Sequence, residues 1–211
     1  MAIDDLLDEH EQSERVRNWL RNNGAGLIGG VALGLAVIFG WQWWQNDRQH
    51  KKEQANLEYR KAMESIAGKD LKKAEAAVAA LGERDGVYAD LAALQLAKAQ
   101  VDGGQRDAAI ATLRAVQPEP ALQTVVTQRL ARLLIDAGKH DEALKLIGNA
   151  TDSSSLEIRG DALTAAGKLA EAREAYTKAL TSLDVAAPQR RVVELKLTEV
   201  GGTPPKSGEQ A

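Results

Sequence analysis

An uncharged run at residues 24–44 limits what this chain can fold into more than any other feature. Its 21 residues read GAGLIGGVALGLAVIFGWQWW and contain no acidic or basic side chain. At about 1.5 Å of rise per residue, a helix of this length spans roughly 30 Å, the thickness of the hydrocarbon layer of a bilayer. A buried core helix rarely stays uncharged on every face for so long. The run therefore predicts a single transmembrane helix.

All four tryptophans of the chain flank this run. Trp19 precedes it, whereas Trp41, Trp43 and Trp44 stand at its end. Indole rings favour the headgroup zone, because the apolar ring and the polar N–H are both satisfied there. We therefore expect these four side chains to mark the two membrane interfaces. A cleaved signal peptide is disfavoured, since the residues before the run are mainly acidic and bulky tryptophans close it.

Three glycines inside the run fall on one ridge of the predicted helix. Gly26, Gly30 and Gly34 recur at every fourth residue. Small residues at this spacing let the backbone of a second helix approach closely within a membrane. The ridge predicts a helix-packing face. Glycine is also common in membrane spans without a packing role, and this alternative stays open.

The charge distribution excludes one class of partner and leaves the orientation open. Residues 1–23 hold three arginines and six acidic residues, and residues 45–211 hold 24 basic and 24 acidic side chains. A nucleic-acid-binding domain normally has a basic face, so we expect no nucleic-acid partner. Three basic residues lie close to each end of the uncharged run. The positive-inside rule therefore does not choose the side of the membrane.

The rest of the chain is dominated by helical patterns. Alanine and leucine are abundant, and no stretch alternates as a strand would. Gly104, Gly138 and Gly167 each separate two apolar segments, and the first two of these glycines are 34 residues apart. The chain has no cysteine, so no disulfide framework is possible, and this absence leaves the compartment open.

Aligning these segments on their glycines reveals an internal repeat. Small residues recur seven before and five after each glycine, and bulky residues nine after it: Ala97, Ala131 and Gly160; Ala109, Ala143 and Ala172; Leu113, Ile147 and Tyr176. This pattern resembles the tetratricopeptide repeat, in which paired helices cross at small residues. The match covers residues 86–184 in three repeats. Because such arrays need capped ends, we expect helices at residues 70–81 and 187–200 to cover them.

The predicted fold class is all-α, with a single N-terminal transmembrane helix followed by a tetratricopeptide-repeat-like helical solenoid. Charged residues with apolar side chains at 3 to 4 spacing follow the uncharged run, which predicts that the membrane helix continues as an amphipathic stalk. The predicted segments are a short tail (1–23), the transmembrane helix (24–44), the stalk (45–69), the repeat domain (70–200) and a disordered tail (201–211).

No catalytic or metal-binding pattern is present in the sequence. His10, His50 and His140 are far apart and do not support a metal cluster or a catalytic triad. The chain contains no HExxH, P-loop or GxSxG motif. We therefore expect a protein that is not an enzyme and that uses no metal and no cofactor.

Three stretches together resemble a known family. They are GWQWW at residues 40–44, QRLARLLIDAGKHDEAL at residues 128–144 and RGDALTAAGKLAEAREAY at residues 159–176. The chain up to about residue 200 resembles the YfgM-like family, single-span inner-membrane proteins of Gram-negative bacteria described as ancillary subunits of the SecYEG translocon. The resemblance implies a cytoplasmic N-terminus and a periplasmic repeat domain. It also implies the chaperone PpiD as a partner, and exported polypeptides as possible clients.

The leading hypothesis is a membrane-tethered adaptor that binds partner proteins on its stacked helices. In tetratricopeptide repeats the first helix of each pair lines the concave side, which selects nine residues as candidate protein contacts: Leu94, Lys98, Val101, Gln128, Arg132, Ile135, Glu157, Asp161 and Thr164. Each of them could instead be a solvated or a core residue. The alternative hypothesis is a structural spacer or a self-assembling scaffold that binds no client, with dimers formed through the glycine ridge.

Overall fold

The structure, a computed structural model, describes residues 2–82 and 86–205, with side chains from Ser13 onward. All regular elements in these ranges are helices, which confirms the all-α prediction. Their bounds are α1 Ala2–Ala67, α2 Leu71–Gly82, α3 Val87–Asp102, α4 Arg106–Ala115, α5 Pro120–Asp136, α6 His140–Ile147, α7 Ser153–Ala165, α8 Leu169–Ser182 and α9 Arg190–Glu199.

The chain divides into two compact units, Met1–Gln54 and Ala55–Ala211. The first unit consists of the N-terminal part of α1. Among the described residues, the segment Ser13–Ala67 contains the one helical stretch that is long and apolar enough to cross a membrane, and none of its apolar window is buried. A core helix would bury such a stretch. Apolar side chains such as Ile28 and Leu33, which are 73% and 70% exposed, are in keeping with a lipid environment.

Helix α1 extends beyond the uncharged run on both sides. It begins at Ala2 and continues unbroken to Ala67, so the predicted tail, from residue 2 onward, and the predicted stalk, up to residue 67, belong to the same helix as the uncharged run. The glycine ridge is open in this structure. A Cβ added to Gly26, Gly30 or Gly34 would meet nothing within 4 Å. The role of the ridge in helix packing stays a prediction.

The second unit is a series of helical hairpins joined by the same tight turn. Gly104, Gly138 and Gly167 adopt φ values of 74°, 73° and 75°, which favour glycine because it has no Cβ. After each glycine the next N–H donates to a carbonyl five residues earlier, at 2.7 Å for Gln105 and 2.9 Å for Lys168. This hydrogen bond closes the helix in the Schellman manner and directs the chain back along it. The first, second and third hairpins are α3/α4, α5/α6 and α7/α8.

Small residues bring the two helices of each hairpin together. Ala109, Ala143 and Ala172 are fully buried, as the repeat pattern predicted. The third hairpin differs at its crossing, because Gly160 faces Tyr176 there. A Cβ on Gly160 would lie 2.7 Å from Cζ of Tyr176 and closer still to Cε1. The large ring therefore requires glycine at residue 160.

Further helices cover both ends of the hairpin stack. At one end, Ala62 of α1 and Ala74 of α2 are fully buried in a cluster with residues of α3. At the other end, Val193 and Leu197 of α9 are buried against α7 and α8 residues. Gly202 donates its N–H to the Leu197 carbonyl at 2.8 Å and closes α9. Residues 206–211 of the predicted disordered tail lie outside the described residues.

Candidate protein-binding surface

The nine predicted contact residues form three sets of equivalent positions along α3, α5 and α7, and the first set faces the next helix of the stack. Leu94 is only 4% exposed and belongs to the core. Gln128 donates to Asp152 Oδ1 at 2.9 Å, and Glu157 accepts from Lys196 Nζ at 2.6 Å. This set joins each hairpin to the next element of the stack. Leu94 is therefore not open to a partner.

The second set is open at the first two hairpins and closed at the third. Lys98 pairs with Asp102 at 2.6 Å, but both side chains are more than 60% exposed. Arg132 is exposed. Asp161, at the equivalent position, accepts from Lys196 Nζ at 2.8 Å and is 25% exposed. A partner could reach Lys98 and Arg132 without breaking a buried interaction.

The third set likewise becomes less accessible from the first hairpin to the third. Val101 is 41% exposed, and it lines a groove of about 640 Å³ beside the turn after α3. Ile135 is half-buried against the core. The Thr164 hydroxyl lies 3.3 Å from the Tyr176 hydroxyl. The accessible part of the predicted surface is thus Lys98, Val101 and Arg132.

The closed end of the surface is a polar network between α7, α8 and α9. The hydroxyl of Tyr176 donates to Asp161 Oδ1 at 2.8 Å, and Lys196 bridges Asp161 and Glu157. Burial disfavours the charged form of Lys196, but its hydrogen bonds to Asp161 and Glu157 outweigh burial and raise its pKa. Burial raises the pKa of the Tyr176 hydroxyl, because it disfavours the charged phenolate. The hydrogen bond with Thr164 opposes this rise, and the negative charges of Asp161 and Glu157 add to it. The lysine is therefore held as a cation and the phenol as a neutral donor.

Sequence reasoning placed Glu157, Asp161 and Thr164 on one surface but missed the two residues that hold them together. Tyr176 had a visible signal, since glycine replaces alanine opposite it in the repeat pattern. Lys196 had none, because it lies 35 residues after Asp161 and outside the repeat.

The tryptophans at the end of the uncharged run form a small exposed cluster. The ring centroids of Trp41 and Trp44 are 5.1 Å apart, and the Arg48 guanidinium carbon lies 3.9 Å from the centre of the Trp44 ring. Trp19 and Trp43 are 57% and 74% exposed. Exposed indoles with a stacked cation suit a headgroup zone. The assignment of these residues to membrane interfaces remains a prediction.

The arrangement of the side chains that the structure describes also bears on metal binding. Within residues 13–82 and 86–205, whose side chains the structure describes, no group of three or more histidine, cysteine, aspartate or glutamate side chains is placed to hold a metal ion. The carboxylates of Glu157 and Asp161 both pair with Lys196, so these ion pairs hold α7 and α9 together.

An apolar helix exposed along its length, followed by stacked helical hairpins with glycine turns, defines an anchored protein of the tetratricopeptide class. The family model described as "Tetratricopeptide repeat-like domain" matches residues 17–202, and the chain belongs to this family. The match begins before the uncharged run, so anchor and hairpins are parts of one family pattern.

The chain is also similar to three curated proteins, each named "Ancillary SecYEG translocon subunit". The protein of Escherichia coli (strain K12) is 28% identical over 200 residues, which cover 92% of this chain and 97% of that protein. The Haemophilus influenzae protein is 24% identical over 83% of this chain and 90% of its own length. The protein of Aggregatibacter actinomycetemcomitans is 23% identical over 92% of this chain and 98% of its own length. These names confirm the YfgM-like resemblance. No solved structure matches the chain.

Proposed function

We propose that this chain is a non-enzymatic, membrane-anchored adaptor and an ancillary subunit of the SecYEG translocon. The anchor holds the repeat domain beside the channel, and the helical hairpins bind other proteins there. Tethering raises the local concentration of the binding surface, so weak contacts with passing chains suffice. The chain is then a single-pass protein of the bacterial inner membrane.

The observation that carries this proposal is the extent of the alignment. The similarity to the E. coli translocon subunit runs through 92% of this chain and 97% of that protein. Tetratricopeptide-like arrays alone are found in many unrelated settings. An alignment that runs through both the anchor and the array of this chain is a more specific feature.

The finer parts of the proposal concern orientation and partners. We place the N-terminus in the cytoplasm and the repeat domain in the periplasm. There it works with the membrane-anchored chaperone PpiD on newly exported polypeptides. The contact surface we propose is centred on Lys98, Val101 and Arg132, because these three predicted residues are accessible.

Site-specific photocrosslinking of the full-length protein in intact cells tests the proposal. A crosslinker at Ile28 or Leu33, which are exposed in α1, should capture SecYEG subunits. A crosslinker at Lys98 or Arg132 should capture PpiD or an exported chain. Lys178 of α8 is exposed but lies on the second helix of its hairpin, and it serves as the matched control with little capture.

The same experiment separates the adaptor from a self-assembling spacer. A spacer would crosslink from the anchor to a second copy of this chain and to no other protein. Crosslinks confined to identical copies would overturn the adaptor proposal. Capture of SecYEG from the anchor without capture of any protein at Lys98 or Arg132 would retain the translocon assignment and remove the proposed contact surface.

A further inference from the structure

A second cavity lies between the first hairpin and α2. It has a volume of about 650 Å³ and lies between α2, α3 and α4. Its lining includes Asp90 and Ala93 of α3, and neither Lys98 nor Val101 is among the described lining residues.

The walls of the cavity are mainly apolar. Val78 of α2, Ala93 and Leu96 of α3 and Val116 after α4 contribute side chains to the lining. A cavity of this size with apolar walls is suited to a few side chains of a bound segment. The apolar wall alone does not specify which segment binds.

Two carboxylates give the cavity its specificity. Asp90 is only 3% exposed, and its carboxylate accepts at Oδ2 from the Glu119 N–H at 2.8 Å. Glu75 uses Oε1 to accept from Gln100 Nε2 at 2.9 Å. Each carboxylate is therefore held in place through one of its two oxygens.

A partly buried hydrogen-bond chain holds the carboxylate of Glu75, an exposed residue, in place. Gln100 is 1% exposed and accepts from the Thr112 hydroxyl at 2.8 Å, so it joins α2, α3 and α4 at the cavity. Preorganised groups of this kind reduce the entropy lost on binding. Of the lining residues in the described ranges, none is lysine, arginine or histidine. The described wall is acidic and has no internal counter-charge.

We propose that this cavity binds a short segment of a partner polypeptide in which a lysine or arginine is flanked by apolar residues. The cation reaches Asp90 and Glu75, and its aliphatic stem and the neighbouring side chains cover the apolar wall. A buried carboxylate is costly without a positive partner, and the long stems of basic residues pack readily on apolar surface. The proposal does not depend on the translocon assignment, so either can fail alone.

The test uses the full-length protein in nanodiscs of neutral phosphatidylcholine, because detergent would enter the cavity. The probe is a short fluorescein-labelled peptide of leucine and serine around one central lysine, and binding is followed by fluorescence anisotropy. One control peptide has glutamate in place of the lysine, and another has serine in place of the leucines. Empty nanodiscs provide the background of binding to lipid. We expect the lysine peptide to bind and both control peptides to bind about tenfold more weakly or not at all.

A pair of neighbouring alanines on α2 provides matched variants. Both Ala79 and Ala80 are exposed, but only Ala79 lines the cavity. Ala79→Arg places a cation in the cavity and should weaken binding of the lysine peptide by about tenfold or more. Ala80→Arg adds the same charge outside the cavity and should change affinity by less than about twofold. Circular dichroism melts of both variants establish that each remains folded.

A third variant tests the charge itself. Glu75→Gln keeps an acceptor for Gln100 but removes the negative charge, and it should weaken binding of the lysine peptide by about threefold or more. No binding of the lysine peptide to the wild-type protein would overturn the proposal. Equal binding of the glutamate peptide, or equal effects of Ala79→Arg and Ala80→Arg, would overturn it as well.

Discussion

The first and third hairpins have the same backbone geometry but different chemistry at equivalent positions. At the helix crossing, Ala97 of the first hairpin corresponds to Gly160 of the third, whose backbone contacts the ring of Tyr176. Both hairpins close with the same glycine turn, at φ values of 74° and 75°. The larger side chain of Tyr176 is therefore compensated by the smaller Gly160, and the two helices cross in the same way.

The two hairpins also differ in what they leave open. Lys98 and Val101 are accessible on the first hairpin, whereas Asp161 and Thr164 at the equivalent positions belong to a network with Tyr176. The difference comes from the neighbouring element, since Lys196 of α9 covers the third hairpin. In a stacked array, exposure of a repeat position thus depends on the next element as much as on the repeat itself.

The largest expected loss of stability comes from a substitution that makes the helix crossing of the third hairpin resemble that of the first. Gly160→Ala places a Cβ against the ring of Tyr176, and we expect it to lower the free energy of unfolding by about 3 kcal/mol. The converse change at the second hairpin, Ala131→Gly, should cost about 1 kcal/mol. Urea unfolding of the full-length protein, followed by circular dichroism, measures both.

The double variant Gly160→Ala with Tyr176→Leu sharpens this test. Leucine is shorter than tyrosine and resembles Leu113 of the first hairpin. It should recover part of the stability lost in Gly160→Ala, although the hydrogen bond to Asp161 is lost. If Gly160→Ala is no more harmful than Ala131→Gly, the two crossings do not differ in the way described.

The next effect tests the network that closes the third hairpin. Lys196→Met keeps the apolar stem but leaves Glu157 and Asp161, which are 14% and 25% exposed, without their cation. We expect a loss of about 2 kcal/mol in the free energy of unfolding. The matched change in the exposed pair of the first hairpin, Lys98→Met, should cost less than about 0.5 kcal/mol. Equal losses in the two variants would contradict the distinction between a closed and an open end.

Sequence reasoning could predict those features of the fold that each repeat carries within itself. The buried alanines Ala109, Ala143 and Ala172 were predictable because spacing alone identifies the helix crossing. The accessibility of the candidate contacts was not predictable from spacing. Periodicity shows which residues share a face, but it does not show that Leu94 is covered by core residues or that Glu157 meets a lysine 39 residues later. Such contacts depend on how successive helices pack.

A smaller effect is expected at the start of α7, where the two hairpins differ in capping. Asp152 accepts from the Ser155 N–H at 3.0 Å, whereas Gly86 before α3 offers no side-chain cap. Asp152→Ala should lower the free energy of unfolding by about 1 kcal/mol, and Asp152→Asn should retain most of the cap. Thermal unfolding of the two variants beside the wild type checks this. Indistinguishable melting temperatures for the alanine and asparagine variants would show that the cap contributes nothing.

The smallest expected effect is the pH dependence of the Lys196 network. The pKa of Lys196 is raised above its ordinary value of 10.5 in the folded protein, so the folded state holds this proton more tightly than the unfolded state does. Its contribution to stability is complete below pH 10.5 and declines as the pH rises through the folded-state pKa. Tyr176, whose pKa is raised above 10.0, acts in the same direction, because the unfolded phenol ionises first. The stability difference between wild type and Lys196→Met should therefore narrow in urea titrations above about pH 10.5. The difference in the free energy of unfolding between wild type and Lys98→Met should remain small at every pH. If the difference between wild type and Lys196→Met does not change with pH, the effect of Lys196 is one of packing rather than charge.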